Sequence, residues 1–304
     1  MKKLFERILF LSFVAIFISA CTNQSEASET SSQEGKDQTY IVGVNGESDA
    51  DIWRNVAERL EEKENITLEV NVFSDGIQPN VAVTDGSILL NAFQHGAYLA
   101  DYVTNNPDSN LVPVGYTYIS PMAAYSNTIT SLNDLAEGAT IIIANDPTNT
   151  SRALLLLEQA GVITLSDDAG IMPTVDDIVE NPKSVSIELV AAAQVPRSIN
   201  DADAIVSSTN VAIDSGLNPK TDGIFVDTDN LSNENISQYK NIIVANEDNA
   251  DNKVLQTIIA EYQTAETEAV IDEISNGSDQ KAWTEDDDTV ADFEKILSDY
   301  LKEQ

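Results

Sequence analysis

From Tyr40 onward the chain repeats one pattern, a short apolar run followed by an amphipathic stretch and another apolar run. Tyr40-Ile41-Val42-Gly43-Val44 has the continuous apolar character of a strand covered on both faces. Ile52, Val56 and Leu60 then recur every four residues with charges between them, which is one face of a helix. Ile66, Leu68, Val70 and Val72 alternate with more polar residues at strand period. Asn80 to Asp85 reads as a helix and Ser87 to Phe93 as a third strand. Strand, helix, strand, helix, strand predicts a parallel sheet with covering helices.

A second series follows. Ala139 to Ala144 is a strand, and Arg152 to Gln159 a helix with Gly161 placed to end it. Val185 to Leu189, Ala202 to Ser207 and Asn241 to Ala245 read as strands, and Val254 to Tyr262 as a helix. Two such series predict two α/β lobes, each a mostly parallel sheet flanked by helices. Ligands of open α/β sheets bind outside the carboxyl ends of the strands. Two facing lobes would bring two such ends onto one small molecule.

The N-terminus has the form of an export signal. Lys2, Lys3 and Arg7 precede an apolar run from Ile8 to Ala20, broken only by two serines. That run is short for a membrane-spanning helix and ends in Ile18-Ser19-Ala20-Cys21. Small residues before a cysteine at this place match a bacterial lipobox, whose cysteine takes a diacylglyceryl group before cleavage. The alternative is an ordinary signal peptide with an incidental cysteine. Cys21 is the only cysteine of the 304 residues, so lipidation would leave no thiol for disulfides, catalysis or metal. Thr22 to Gln38 has no large apolar residue and reads as a flexible tether. A formal charge of −35 argues against nucleic-acid binding and against polybasic contact with a membrane.

Two stretches could carry chemistry. Asn145-Asp146-Pro147-Thr148-Asn149-Thr150-Ser151-Arg152 joins a buried strand to an apolar helix. Thr148, Asn149 and Ser151 are capping residues, and free N–H groups at a helix start favour an anion. Arg152 adds a fork able to hold a carboxylate through two hydrogen bonds. The competing reading pairs Arg152 with one of the chain's 51 acidic residues. The second stretch, Asn91-Ala92-Phe93-Gln94-His95-Gly96-Ala97-Tyr98, leaves a strand for a helix and holds the only histidine between two aromatics. These residues suit an apolar side-chain pocket, or else a core with a structural histidine. No G-x-S-x-G, H-E-x-x-H, P-loop or G-x-G-x-x-G occurs, so no catalytic residue, metal site or cofactor is assigned.

These stretches, in this order, resemble the NlpA family of methionine-binding lipoproteins of ABC importers. The matching segments begin with Phe73-Ser74-Asp75, Gln78-Pro79-Asn80, Asn91 to Tyr98 and Ile119-Ser120-Pro121-Met122. They continue with Asn145 to Gly161, Thr174 to Lys183, Gln194 to Ser198 and Asn241-Ile242-Ile243. The resemblance implies a two-lobed type II periplasmic-binding-protein fold with two hinge crossings and no enzymatic activity. It implies a signal peptide over 1–20, a tether over 21–38, one lobe from 39–122 and 241–304, and the other from 123–240. It places Phe93, His95 and Tyr98 around the ligand's side chain, Arg152 on its carboxylate and Asn241 on its amino-acid end. Two positions depart from the family pattern: Gly76 replaces an aromatic, and Ser208 replaces a binding asparagine, with Asn210 as a substitute two residues on. The loss at position 76 would widen the pocket.

The expectation is therefore a monomeric, lipid-anchored binding protein on the outer face of the cell membrane, delivering methionine to an ABC permease. A methionine-containing dipeptide or another apolar amino acid is the alternative ligand. A surface adhesin and a secreted hydrolase working through His95 are remoter alternatives.

Overall fold

A computed structural model describes residues 38–170, 172–227 and 234–302. The expected signal peptide, Cys21 and the tether up to residue 37 lie outside the described residues. The described chain forms two sheets, each with its own apolar core.

The first lobe opens with β1 (Thr39–Asn45), α1 (Glu47–Glu64), β2 (Thr67–Phe73), α2 (Gln78–Thr84), β3 (Leu90–His95), α3 (Gly96–Asn105) and β4 (Leu111–Ile119). Helix α1 forms because Ile52, Val56 and Leu60, with Trp53, share a face and bury against the sheet. Asn65 ends it in the left-handed region at φ 53°, a conformation asparagine tolerates, with its N–H on the Leu60 carbonyl. The chain then crosses at Ser120-Pro121 into β5 (Met122–Tyr125). The second lobe continues with β6 (Thr140–Ala144), α4 (Pro147–Gln159), β7 (Thr164–Leu165), β8 (Ile178–Glu180), β9 (Ser186–Val190), β10 (Ala204–Ser208), α5 (Thr209–Asp214), α6 (Pro219–Asp222) and β11 (Gly223–Val226). A segment ending in a 3₁₀ turn at Glu234–Tyr239 returns to β12 (Lys240–Asn246), α7 (Lys253–Tyr262), α8 (Ala265–Ile274), β13 (Gln280–Lys281) and α9 (Thr289–Lys302) in the first lobe.

Strand order is β13-β4-β12-β3-β1-β2 in the first lobe and β11-β5-β10-β6-β9 in the second. The sheets are mixed rather than mostly parallel. Of their nine strand pairs, four are parallel and five antiparallel. The crossings supply the reason. β3 ends at the crossing side of its lobe, whereas β12 starts there, Lys240 lying opposite Ile119 and Asn241 opposite His95. A strand that re-enters a lobe must run against those that point toward the exit. β5 stands in the same relation to β10.

Burial follows strand period. On β6, Ile141 and Ile143 join the core beneath α4, with Leu154 and Leu157, while Ile142 and Ala144 join a smaller core on the opposite face. Among the described residues, no helix is long and apolar enough to cross a membrane.

Candidate functional site

The site is built where β3 runs into α3. His95 is the residue before the helix, and its Nδ1 accepts a hydrogen bond from the Tyr98 N–H at 3.1 Å, so the imidazole acts as the cap. An accepting Nδ1 puts the ring proton on Nε2, which faces Asn149 Oδ1 of the other lobe at 3.5 Å. Burial, and then the nearby Arg152 charge, hold the His95 pKa down at about 3, so the ring is neutral in any physiological setting. Tyr98 lies edge-on to Phe93, with centroids 5.9 Å apart, and edge-on to His95 at 6.2 Å.

Gly76 sits against this cluster, its carbonyl accepting from the Tyr98 hydroxyl at 3.1 Å. A Cβ at position 76 would lie 2.5 Å from that hydroxyl. The glycine thus leaves no hole in this arrangement, because Tyr98 occupies the space that a side chain would need. Behind the wall, Asn80, Asn91 and Gln94 are wholly buried and bonded to one another. Asn91 also donates to the Pro79 carbonyl, which ties α2 to β3.

Helix α4 contributes from the second lobe. Its cap is Asp146, not Thr148, Asn149 or Ser151, and Pro147 takes the first helical position. The Asp146 carboxylate accepts from the Asn149 backbone N–H at 2.9 Å and from the Asn149 side chain. The helix start therefore already holds an anion of its own, and the cationic element that remains is Arg152. Arg152 is buried. Its Nε donates to Asp227 Oδ2 at 2.9 Å, and its Nη2 lies 2.8 Å from the same oxygen as an ion pair and donates to the Ser120 carbonyl at 2.8 Å. The guanidinium lies over the Tyr239 ring, 4.6 Å from its centroid. Tyr239 in turn stands edge-on to His95 at 5.2 Å. The fork that a ligand carboxylate was expected to use is thus held by a carboxylate of the chain. Among the described residues, Nη1 makes no hydrogen bond.

Gly76, Phe93, His95, Tyr98 and Arg152 therefore form one continuous group, joined through Tyr239. Asn241 lies beside it, opposite His95 in the sheet register. Ser208 and Asn210 do not bond to this group. The Ser208 hydroxyl donates to Asn210 Oδ1 at 2.9 Å, and the Asn210 amide reaches toward Asp49 of α1 in the other lobe. Asp49 is buried, takes a short hydrogen bond from the Tyr118 hydroxyl on Oδ1, and has no partner on Oδ2. Burial raises its pKa to about 7, helped by the charges of Asp214 and Asp279.

Sequence reasoning missed Asp227, Tyr239 and Asp49. A weak signal existed for Asp227, an acid just after an apolar run in the return segment, but 51 acidic residues conceal any single one. Chemically, the group offers a buried cation, a neutral imidazole and aromatic walls. Nothing in it resembles an activated nucleophile, since both His95 ring nitrogens face other groups. Among the described residues, no cluster of three or more histidine, cysteine or carboxylate side chains could hold a metal.

Comparison with known proteins gives this geometry its context. The family model described as NlpA lipoprotein matches residues 41–283. A probable D-methionine-binding lipoprotein MetQ of Vibrio cholerae is 40% identical over 242 residues, 80% of this chain and 87% of that protein. The D-methionine-binding lipoprotein MetQ of Escherichia coli is 38% identical over 83% of this chain and 91% of its own length. Among solved structures, a nutrient-binding protein from Burkholderia cenocepacia bound to methionine superposes with a TM-score of 0.75 at 37% identity, covering 80% of this chain and all of that one.

Proposed function

The chain belongs to the NlpA lipoprotein family, and on that premise we propose that it captures a methionine-like zwitterion between its lobes and delivers it to the permease of an ABC importer. One observation carries the reading. The buried guanidinium of Arg152, with Nη1 unbonded, stands across Tyr239 from the wall of His95, Tyr98 and Phe93. In this reading Nη1 takes the ligand's carboxylate, the aromatic wall takes its apolar side chain, and Asn241 takes its polar end. Lobe closure is favoured by contacts that the ligand makes with both lobes at once.

The protein acts as a monomer outside the cytoplasm, held to the cell membrane through lipid on Cys21. Metabolic labelling with a radioactive fatty acid is expected to mark the wild-type chain and not a Cys21→Ser variant, and an unlabelled wild type would refute the anchor. Arg152→Ala weakens methionine binding at least about tenfold in calorimetry, the scale of a lost charge-assisted contact. Unchanged affinity would remove Arg152 from the site.

A methionine-containing dipeptide is the second reading. It is favoured by the departure from the family pattern at Ser208, whose hydroxyl bonds to Asn210 Oδ1 rather than to the Arg152 group. A thermal-shift series over L- and D-methionine, other apolar amino acids and short methionine peptides separates the two. Ligand at a hundred times its dissociation constant adds about 2.7 kcal/mol of stability.

A further inference from the structure

Arginine is a long, flexible side chain, and a buried one is costly unless its donors are satisfied. Arg152 is held on three sides. Asp227 Oδ2 accepts from Nε and pairs with Nη2 at 2.8 Å, the Ser120 carbonyl accepts from Nη2, and the Tyr239 ring covers a face. Only Nη1 is left without a partner among the described residues. Asp227 has a second attachment, since its Oδ1 accepts from the Met122 N–H at 2.8 Å. Met122 begins β5, immediately after the first crossing, and Asp227 follows β11, at the start of the second. Ser120 lies on the first crossing and Tyr239 on the second. One carboxylate therefore binds both passages between the lobes to one guanidinium.

We propose that Asp227 is the positioning residue for Arg152, holding the guanidinium so that Nη1 alone is offered to a ligand carboxylate and tying that posture to both hinge crossings. The proposal rests on the reading of Arg152 as the carboxylate clamp. Asp227 also keeps the ligand-free cleft from burying an unpaired cation, and an incoming zwitterion adds no net charge to the pair. Positioning by an acid differs from competition by an acid. A competitor must leave when ligand arrives, and its removal tightens binding. A positioning residue stays, and its removal loosens binding.

Calorimetry with L-methionine and L-methioninamide on the wild type, Asp227→Asn, Asp227→Glu, Arg152→Ala and the Arg152→Ala/Asp227→Asn double variant decides between them. Asp227→Asn weakens L-methionine about tenfold, the effect of losing a charge-assisted pair, and Asp227→Glu recovers most of that loss. Methioninamide, which has no carboxylate, changes much less, and the double variant binds no worse than Arg152→Ala alone. Wild-type or tighter affinity in Asp227→Asn overturns the proposal, as does an equal loss for both ligands. If Arg152→Ala leaves affinity untouched, it is the clamp reading that fails. A measurement without ligand covers the case of a variant that folds poorly. The Arg152 Nε–H of the wild type should exchange slowly with water in nuclear magnetic resonance, and rapid exchange would show that Asp227 does not hold it.

Discussion

The single histidine shows how a side chain's surroundings set its chemistry. Burial keeps His95 neutral with a pKa of about 3, whereas the unfolded chain takes up the proton near its ordinary 6.5. The unfolded state therefore binds more protons between those values, and the stability gained by a neutral His95 is lost progressively as pH falls below about 6.5. The ring's Cε1–H resonance should stay constant in the native protein from pH 8 to pH 5, and a titration near 6.5 would contradict its burial.

Asp49 runs the other way. Its pKa is raised to about 7, so the folded state holds the extra proton, and this residue's contribution falls as pH rises from about 4 to about 7. Asp49→Asn keeps an oxygen for the Tyr118 hydroxyl and removes the charge. We expect urea unfolding to show the variant more stable than wild type at pH 8, by roughly 1–3 kcal/mol, with the difference vanishing near pH 4. A variant less stable at pH 8 would mean that the carboxylate is well solvated or paired.

Helix α1 depends on the other lobe for its start. Gly46 precedes it at φ 95° and has no side chain to cap the free N–H groups. The Asp214 carboxylate at the end of α5 supplies the cap, accepting from the Glu47 and Ser48 N–H groups at 3.1 and 3.0 Å. A Cβ on Gly46 would fall 1.9 Å from Asp214 Oδ2, so position 46 is closed to other residues by both conformation and space. Asp214 is solvent-exposed, which places its loss at the low end for a cap, about 0.5–1 kcal/mol. Because the cap spans the lobes, Asp214→Ala should also weaken ligand binding, about threefold in calorimetry, even though Asp214 is apart from the Arg152 group. Unchanged affinity would make the cap purely structural. The amide cluster of Asn80, Asn91 and Gln94 is the tighter constraint. Gln94→Leu leaves buried amides unpaired and should cost about 1–3 kcal/mol in denaturant unfolding.

Across the whole molecule, the two series of strands and helices were legible because buried strands and half-buried helices leave periods that composition does not obscure. The strand at Ala139 to Ala144 and the helices carrying Ile52 and Leu154 appear close to where apolar spacing put them. The strands β4, β5 and β11 and the helices α5, α8 and α9 escaped notice; for β5, β11 and α5 the reason is that four to six residues hold too few repeats of any period. The direction of β12 was equally hidden, because hydrophobic alternation looks the same read either way along a strand.

The sequence by itself determined the alternation of elements, the family, the placing of Phe93, His95 and Tyr98 around a strand-to-helix junction, and that of Arg152 in the helix after a buried strand. These are local properties, carried by spacing along a few residues. Only the tertiary structure decided that Arg152 pairs with Asp227, 75 positions away, that Tyr98 fills the space beside Gly76, and that Asp214 caps a helix of the opposite lobe. Those outcomes depend on which groups meet in a space shielded from water. Electrostatic pairing is governed by distance and burial, and a chain with 51 carboxylates offers far more partners on paper than one folded guanidinium can reach.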